Sequence, residues 1–483
     1  MNDSTSKLID QVQGLLARHG ILTVQQLQSA TGKSQPSISL ALGHLGLQVC
    51  KLGAARSTRY ALTQPILGLQ AGQPLSWTAP SGLAFEFGKL SFLQTGQVHV
   101  RAKAGRDWLG EPGQLPWFLQ ALRPQGFLGR QLTRLRPDFP ADPDHWSAAQ
   151  VLYMAINHSH DPPGALHLGE TKGRSVNQAP QAMAARIAYY DGLARSVTES
   201  LPAASGAGGE QPKFVCEGAA DPTGHSTGAP PPARRHLIVK FSPPRGTPFG
   251  ERWHDLLHLE HLALTVLGDH GIAVANSQVV ESPQRTYLES ERFDRIGTAG
   301  KRHVVSAAAV HDGFVKAPRR HWVATCEALV AQRLLTTEHL NQVASVFLFG
   351  QYIGNTDMHF GNLSFYAGNP LDDAPAAPAA PAATQAMNRL NPQSMMNAIT
   401  QPVLTLAPVY DMLPMLWRPG QYGGELEAPP VRPPYQLAGY DVQAAQARAW
   451  ANVFWRRASQ LASLSQALRE GSAANLAHLE SLP

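Results

Sequence analysis

Two polar residues with the spacing of a phosphoryl-transfer loop lie in the segment 354–365. Asp357 and Asn362 are five residues apart, between an apolar stretch predicted as a helix and another predicted as a strand. Loops of this kind use the aspartate to orient and deprotonate a substrate hydroxyl and the asparagine to hold Mg²⁺. The spacing therefore indicates phosphoryl transfer to a hydroxyl group, although Asp357 alone could also be a turn residue that ends a helix.

A second carboxylate for such a site follows further along the chain. Asp411 stands at the end of the apolar run 407–410. In nucleotide sites Mg²⁺ is bound by one or two carboxylates together with phosphate oxygens. Asn362 and Asp411 are therefore the predicted metal ligands, and ATP and Mg²⁺ are the expected cofactors.

The parts needed to hold a nucleotide are expected upstream of this loop. The segment 205–214 is rich in glycine and includes Gly208 and Gly209, so its backbone N–H groups could approach phosphates. The next apolar strand carries a single lysine, Lys240, in the context of a phosphate-contacting lysine; a lysine that faces solvent is the alternative. Glu260, on the helix predicted after that strand, could orient Lys240.

The first 62 residues predict a small domain of three helices and a hairpin. Apolar residues recur at helical spacing in the segment 8–16. Thr23, with a glutamine three residues later, has the signature of a capping box, and Ser34 is the expected cap of a third helix. Two alternating segments flank Gly53 and predict the hairpin. This order indicates a winged helix-turn-helix, which serves either DNA binding or, alternatively, protein interaction.

Positive charge is concentrated in this predicted domain. Residues 1–62 carry six lysines and arginines against two aspartates, so +4 of the net charge of +5 lies there. The excess favours a phosphate-binding surface for duplex DNA, although a basic face exposed only to solvent would give the same count. The predicted DNA-contacting residues open the third helix or lie along the wing: Lys33, Ser34, Gln35, Ser37, Arg56 and Arg59.

The remaining sequence predicts a linker, a smaller subdomain and a larger catalytic region. Residues 63–76 are predicted as the linker, 77–200 as short strands followed by helices, and 201–483 as the region that carries the chemistry. Within that region, residues 370–402 include a low-complexity run of alanine and proline. Such a run cannot pack a core, so a disordered insertion is expected.

Composition restricts the class of protein. Apolar residues make up 43% of the chain, which is enough for a sizeable core, but no stretch reaches the length of a membrane-spanning helix. The start lacks the pattern of a secretory signal, and three scattered cysteines are too few for a disulfide framework or a zinc site. We therefore expect a cytoplasmic protein with no membrane partner. His254 and His258, four residues apart, form a weaker metal candidate because no third ligand is evident.

Several segments occur in the order seen in HipA-like kinase toxins. They are Gly209–Lys213, the ERFDR sequence within 287–295, the loop 354–365 and Val409–Asp411. Residues 77–465 therefore resemble this family, in the form that carries a fused winged helix-turn-helix. The resemblance implies an α+β, two-lobed protein-kinase-like fold preceded by the winged domain.

The resemblance also implies roles for individual residues. Asp357 would be the catalytic aspartate, and Asn362 and Asp411 would hold Mg²⁺. The implied nucleotide-binding residues are Gly208, Gly209, Gln211, Lys213, Lys240, Glu291, Phe293, His359 and Asn362. Ser205 is the candidate for the autophosphorylation that inactivates many of these kinases.

The implied activity is phosphorylation of a serine or threonine on a protein, such as a translation factor or an aminoacyl-tRNA synthetase, with arrest of growth. HipA relatives commonly rely on a separate DNA-binding antitoxin. A fused domain therefore predicts DNA binding in cis for autoregulation, with an antitoxin as a further candidate partner.

Two departures from the family pattern keep other functions open. Gly361 stands where the family usually has a lysine directly before the metal-binding asparagine, which removes a cation near the transferring phosphate. Ser205 is displaced from the usual position of the loop serine. The alternatives are a kinase-like transcriptional regulator without phosphotransfer and a Mg²⁺-dependent DNA nuclease toxin.

Overall fold

The computed structural model of this chain describes most of its residues in two units. The first unit comprises Met1–Gln125 and Gly129–Arg174, and the second comprises 126–128, Ser175–Ala367 and Val403–Pro483. The described residues are 3–102, 107–158, 161–170, 177–199, 211–219, 234–367, 404–420, 429–431 and 437–482.

The helices and strands are numbered in chain order. The helices are α1 (Asp3–His19), α2 (Val24–Thr31), α3 (Gln35–Leu45), α4 (Gly126–Leu132), α5 (Ala148–Asn157), α6 (Met183–Glu199), α7 (Pro248–Asp269), α8 (Ala307–Phe314), α9 (Trp322–Ala331), α10 (Thr337–Tyr352), α11 (Asp441–Gln460) and α12 (Gln466–Ser481). The strands are β1 (Leu22–Thr23), β2 (Val49–Leu52), β3 (Arg59–Leu62), β4 (Gly72–Thr78), β5 (Ala84–Phe92), β6 (Val98–Ala102), β7 (Asp107–Leu109), β8 (Leu166–Leu168), β9 (Lys213–Ala219), β10 (Arg234–Phe241), β11 (Ser277–Glu281), β12 (Thr286–Glu291), β13 (Arg295–Ile296), β14 (Gly300–Lys301), β15 (Val304–Ser306), β16 (Ser364–Ala367) and β17 (Leu404–Leu406).

Helices α1–α3 and the antiparallel sheet β1-β3-β2 form the N-terminal part of the first unit. Helix α2 begins as predicted, because Thr23 and Gln26 form a capping box that satisfies two backbone N–H groups. The helix ends at Thr31 and is capped by Gly32, whose φ of +67° suits a glycine. The start of α3 differs from the prediction: Ser34 caps no backbone N–H and instead hydrogen-bonds Ser37 at 3.0 Å.

The hairpin predicted as a wing forms as β2–β3, and one of its faces is buried. Cys50, Leu52 and Ala61 pack in one cluster with Leu93, which lies next to the sheet β7-β6-β5-β4-β8. Burial of these apolar side chains stabilises the wing against that sheet. The sequence did not indicate this packing.

The segment 63–76 also differs from the predicted linker. Gln64 N donates to Phe92 O at 2.8 Å, and Gln94 N donates to Leu62 O at 2.9 Å. The strand β4 then begins at Gly72. Backbone hydrogen bonds thus continue from the wing into the five-stranded sheet.

The second unit contains an antiparallel sheet of order β11-β12-β10-β9. Helix α6 covers one face, where Tyr190 and Ala194 pack with Phe214, Val239 and Tyr287. All five side chains are buried, so this core fixes the sheet that carries Lys240.

Helices and a small sheet, β15-β16-β17, make up the rest of this unit. Phe349 of α10 packs edge-on against Trp450 and Phe454 of α11. Ala367 at the end of β16 pairs in register with Leu404 at the start of β17. The predicted insertion, residues 370–402, lies outside the described residues.

The α+β class predicted from the sequence is confirmed, because helices and antiparallel sheets occur in both units. Across the part of the chain that the structure describes, no helix combines the length and apolar character needed to cross a membrane.

Candidate active site

Lys240 lies near the end of the central strand β10, between β9 and β12. Its side chain is only 7% exposed, so the alternative of a solvent-facing lysine is wrong. The Nζ atom contacts Glu260 Oε1 at 2.6 Å and also pairs with Asp411. Burial opposes the charge, but Asp411 and Glu260 outweigh it, so the pKa of Lys240 is raised above its ordinary range.

Glu260 reaches this lysine from α7, as the sequence predicted. Its side chain is 1% exposed, and burial raises the pKa of Glu260 against the opposing effect of Lys240. The second oxygen, Oε2, is buried and has no hydrogen-bond partner among the residues described. An unsatisfied buried acceptor is costly, so this oxygen is suited to a donor or cation that enters the site.

Asp411 presents its carboxylate from the irregular segment that follows β17. Its φ of +52° is unusual for a residue with a side chain and changes the direction of the chain. Two residues earlier, Val409 forms an isolated β-bridge with Val274. The side chain of Asp411 remains 29% exposed. Burial opposes ionisation, but Lys240 and Lys213 outweigh it and lower the pKa of Asp411 to about 2. The group is therefore a carboxylate at every physiological pH.

Lys213 lies directly opposite Lys240 in the pairing of β9 with β10. Its charge acts on both Asp411 and Glu260. The sequence-predicted residues Lys213, Lys240 and Asp411 are thus brought together at one end of the sheet.

The loop that carries Asp357 begins where α10 ends. Gly354 has a φ of +74° and turns the chain, after which Asn355 is buried. Asn355 Oδ1 accepts from Asp357 N at 3.1 Å, and Asn355 Nδ2 donates to Asp411 O at 3.3 Å. Asn355 therefore ties the backbone of this loop to that of Asp411, a role that the sequence reasoning missed.

Asn362 is oriented from within the same loop. Its Nδ2 donates to Asp357 O at 2.8 Å, which leaves Oδ1 as the atom available to a metal. Tyr410 OH donates to Gly361 O at 2.5 Å, so the residue next to Asp411 also holds this loop. The side chain of Asp357 itself is exposed. Asp357 and Asn362 thus lie on one loop, as their spacing predicted. The structure also ties this loop to Asp411.

Three further residues that the sequence predicted as nucleotide-binding have contacts of their own. His359 lies on the loop, and its Nδ1 accepts from Gly361 N at 2.9 Å. Phe293 packs on Tyr410 at 5.5 Å between ring centroids. Glu291 accepts from Asn276 at 3.0 Å, at the end of β12.

The glycine-rich segment is described only at its end. Gly208, Gly209 and the autophosphorylation candidate Ser205 lie outside the described residues. Gln211 lies just before β9, and its Nε2 is buried without a hydrogen-bond partner in the described part of the chain.

The structure brings a third possible metal ligand, Glu281, close to His254 and His258. Glu281 Oε1 lies 3.0 Å from His258 Nε2, and possible ligand atoms of these residues and His254 lie within 4.8 Å of one another. Both ring nitrogens of His254 and His258 already form hydrogen bonds, with Ser463 O at 2.9 Å among the partners. A metal would have to displace these bonds.

Residues predicted to contact DNA lie at the start of α3 and on the wing. Lys33, Ser34, Gln35 and Arg59 are exposed, whereas Ser37 is half-buried. The side chain of Arg56 lies outside what the structure describes.

Comparison with known proteins identifies two regions of similarity. Residues 69–176 match the family described as "YjjJ-like toxin, middle domain", and residues 205–396 match "HipA-like C-terminal domain". The chain is 32% identical over 386 residues to Toxin YjjJ of Escherichia coli strain K12, which covers 78% of this chain and 76% of that relative.

Two solved structures are also similar to the chain. One is the Shewanella oneidensis MR-1 toxin–antitoxin system of HipA, HipB and operator DNA, at 16% identity and a TM-score of 0.49, covering 85% of this chain and 95% of that chain. The other is the Helicobacter pylori proinflammatory kinase CtkA, at 12% identity and a TM-score of 0.32, covering 51% and 87%.

Proposed function

Because the chain belongs to the HipA-like toxin family, we propose that it is a serine/threonine protein kinase that transfers the γ-phosphate of ATP to a protein. The observation that carries this proposal is the buried pair of Lys240 and Glu260 in contact with the partly exposed Asp411. In kinases a strand lysine held by a helix glutamate contacts the nucleotide phosphates, and a nearby aspartate binds Mg²⁺. We further propose that it acts in the cytoplasm.

The residues present fit a nucleotide with Mg²⁺. Asp411 is ionised and partly exposed, and Asn362 keeps its Oδ1 available, so two oxygen ligands of the type that Mg²⁺ prefers come from neighbouring loops. Lys240 and Lys213 supply positive charge beside them for the phosphate oxygens. When bound, Mg²⁺ would neutralise charge on the phosphates.

Asp357 is the group proposed to accept the proton of the substrate hydroxyl. Its side chain is exposed to an incoming protein, while its backbone N–H and carbonyl are fixed by Asn355 and Asn362. Positioning of this kind, rather than covalent chemistry, supplies most of the rate enhancement in phosphoryl transfer.

Gly361 supports the regulator alternative only weakly. The position of the His359 ring explains why this residue is a glycine. A Cβ at position 361 would lie 2.7 Å from His359 Cε1, so a side chain there would require the histidine ring to move. The glycine thus leaves room for the His359 ring, which lies against the backbone at position 361. The missing lysine is partly offset by the charges of Lys213 and Lys240.

Incubation of the purified protein with γ-labelled ATP, Mg²⁺ and cell extract tests the proposal. We expect labelled serine or threonine with wild type and none with Asp357→Asn, which keeps the volume but cannot take up the proton. ATP binding without transfer by wild type would favour a kinase-like regulator. Mg²⁺-dependent nicking of DNA without nucleotide would favour a nuclease.

We also propose that the N-terminal part is a winged helix-turn-helix that binds duplex DNA for autoregulation. The support is the order of α1–α3 and β1–β3, together with the exposed residues Lys33, Gln35 and Arg59. A recognition helix places such residues in the major groove, and a wing places cations beside the phosphates. An antitoxin remains a further proposed partner.

A further inference from the structure

A pocket of about 390 Å³ opens beside Asp357, within the second unit. Its lining includes Asp357 and His359 from the loop, Phe347 and Gln351 from α10, and the pair Arg320–His321 that precedes α9. Lys213, Lys240, Glu260 and Asp411 are not part of this lining. The pocket therefore shares the aspartate with the candidate active site but not the groups proposed to hold the nucleotide.

The segment that precedes α9 supplies a cation that has no acidic partner in the described part of the chain. Arg319 is paired with Asp312 and lies over the ring of Phe360 at 5.6 Å, so its charge is neutralised. Arg320 is exposed and lines the pocket, and no carboxylate among the described residues pairs with it. A guanidinium beside a pocket favours a planar anion that can accept two hydrogen bonds.

Neutral groups complete the pocket. His321 Nδ1 accepts from Ala324 N at 3.2 Å, so the neutral ring carries its proton on Nε2 and stays a donor. The ring lies 5.6 Å from that of Phe347, which makes an apolar wall. Gln351 Oε1 is buried without a hydrogen-bond partner in the described part of the chain. This acceptor is suited to a backbone N–H of an extended peptide.

We propose that this pocket binds an acidic side chain, aspartate or glutamate, next to the accepting serine or threonine of the protein substrate. The inference rests on the proposed kinase function and names the substrate class of that site. Arg320 would bind the carboxylate, and Gln351 and His321 would hold the adjacent backbone. The volume suits a few residues of a peptide rather than a whole domain.

Phosphoproteomics of cells that express the full chain tests the proposal. Four forms are compared at equal abundance: wild type, Asp357→Asn, Arg320→Glu and Lys316→Glu. Lys316 is exposed in the same segment but does not line the pocket, so its variant repeats the charge change elsewhere. Sites in other proteins that require Asp357 define the substrates.

We expect those sites to have aspartate or glutamate within about three residues of the phosphorylated hydroxyl. Arg320→Glu should lower their occupancy by roughly tenfold or more, which is the effect of about 1.4 kcal/mol in binding, and Lys316→Glu should not. Substrate sites without acidic neighbours, or with occupancy unchanged in Arg320→Glu, would overturn the inference and leave the kinase function standing. The absence of any site that depends on Asp357 would overturn both.

Discussion

The ammonium group of Lys240 lies 2.6 Å from the carboxylate of Glu260, and both side chains are buried. The pair joins strand β10 to helix α7, while a second contact joins the lysine to Asp411. One cation thus holds two carboxylates that reach it from distant parts of the sequence.

Replacement of this lysine should affect both stability and nucleotide binding. Lys240→Met retains apolar bulk but leaves Glu260 and Asp411 without the cation between them. We expect a loss of about 3 kcal/mol in the free energy of unfolding, in the range for a broken buried ion pair. ATP affinity measured by calorimetry should fall, while DNA affinity stays unchanged. Lys316→Met, at an exposed position, is the control; equal ATP affinity in Lys240→Met and wild type would contradict the assignment.

The buried histidine His258 should make stability depend on pH. Burial, with the neighbouring His254, lowers the pKa of His258 to about 4, against the opposing effect of Glu281. The unfolded chain therefore takes up this proton first as the pH falls below about 6.5. The free energy of unfolding should therefore decline between pH 6.5 and pH 4. His258 should contribute at most roughly 3 kcal/mol to this decline, and no more below pH 4, where the histidine is protonated in both states.

Urea unfolding at pH 7 and at pH 5 measures this effect. The difference between the two pH values should shrink in His258→Gln and remain in His145→Gln, which changes an exposed histidine. An identical pH dependence in wild type and His258→Gln would show that other groups cause it.

DNA affinity of the full chain should fall steeply with salt. Each neutralised phosphate contributes about −0.9 to the slope of log K against log salt, so Lys33→Ala and Arg59→Ala should each flatten the slope by about that amount. Gln35→Ala should change sequence preference more than the slope. Lys7→Ala is the control, because Lys7 is paired with Asp3 on α1. Gel-shift titrations with unchanged slopes in all variants would contradict the proposed DNA surface.

The packing of the wing on the five-stranded sheet should support DNA binding from a distance. Leu93 is fully buried against Cys50, Leu52 and Ala61. Leu93→Ala should cost about 2–5 kcal/mol in local stability, increase hydrogen exchange in β2 and β3, and weaken DNA binding. Leu83→Ala, at an exposed leucine, should change neither property. Unchanged exchange in Leu93→Ala would mean that the wing is stable by itself.

Local patterns in the sequence predicted the elements that depend on neighbouring residues. The capping box at Thr23 and the apolar strand that carries Lys240 both form as expected, because their signals lie within a few residues. The spacing from Asp357 to Asn362 placed both side chains on one loop for the same reason. Glu260 was also found, since a helix directly after the strand brings it back to Lys240.

Contacts between distant segments could not be predicted in the same way. Asn355 holds the backbone of Asp411 across 56 positions, and nothing in its own surroundings indicates that partner. The third group near His254 and His258, Glu281, lies on a strand that only the fold brings close. The burial of the hairpin β2–β3 depends on Leu93, which nothing in the sequence marks as its partner. The segment 63–76 was therefore predicted as a linker.

The in-register pairing of Ala367 with Leu404 has a consequence for how the molecule could be divided. The chain leaves the small sheet at Ala367 and re-enters it at the paired position Leu404. The hydrogen bonds described above between the 354–365 loop and Tyr410–Asp411 are made by residues outside 368–403. A break in the covalent chain between 368 and 403 should therefore yield two polypeptides that associate through β16 and β17 and reconstitute the proposed catalytic centre. The same position would accept a reporter domain whose ends lie close together, because closing a longer loop there costs little free energy.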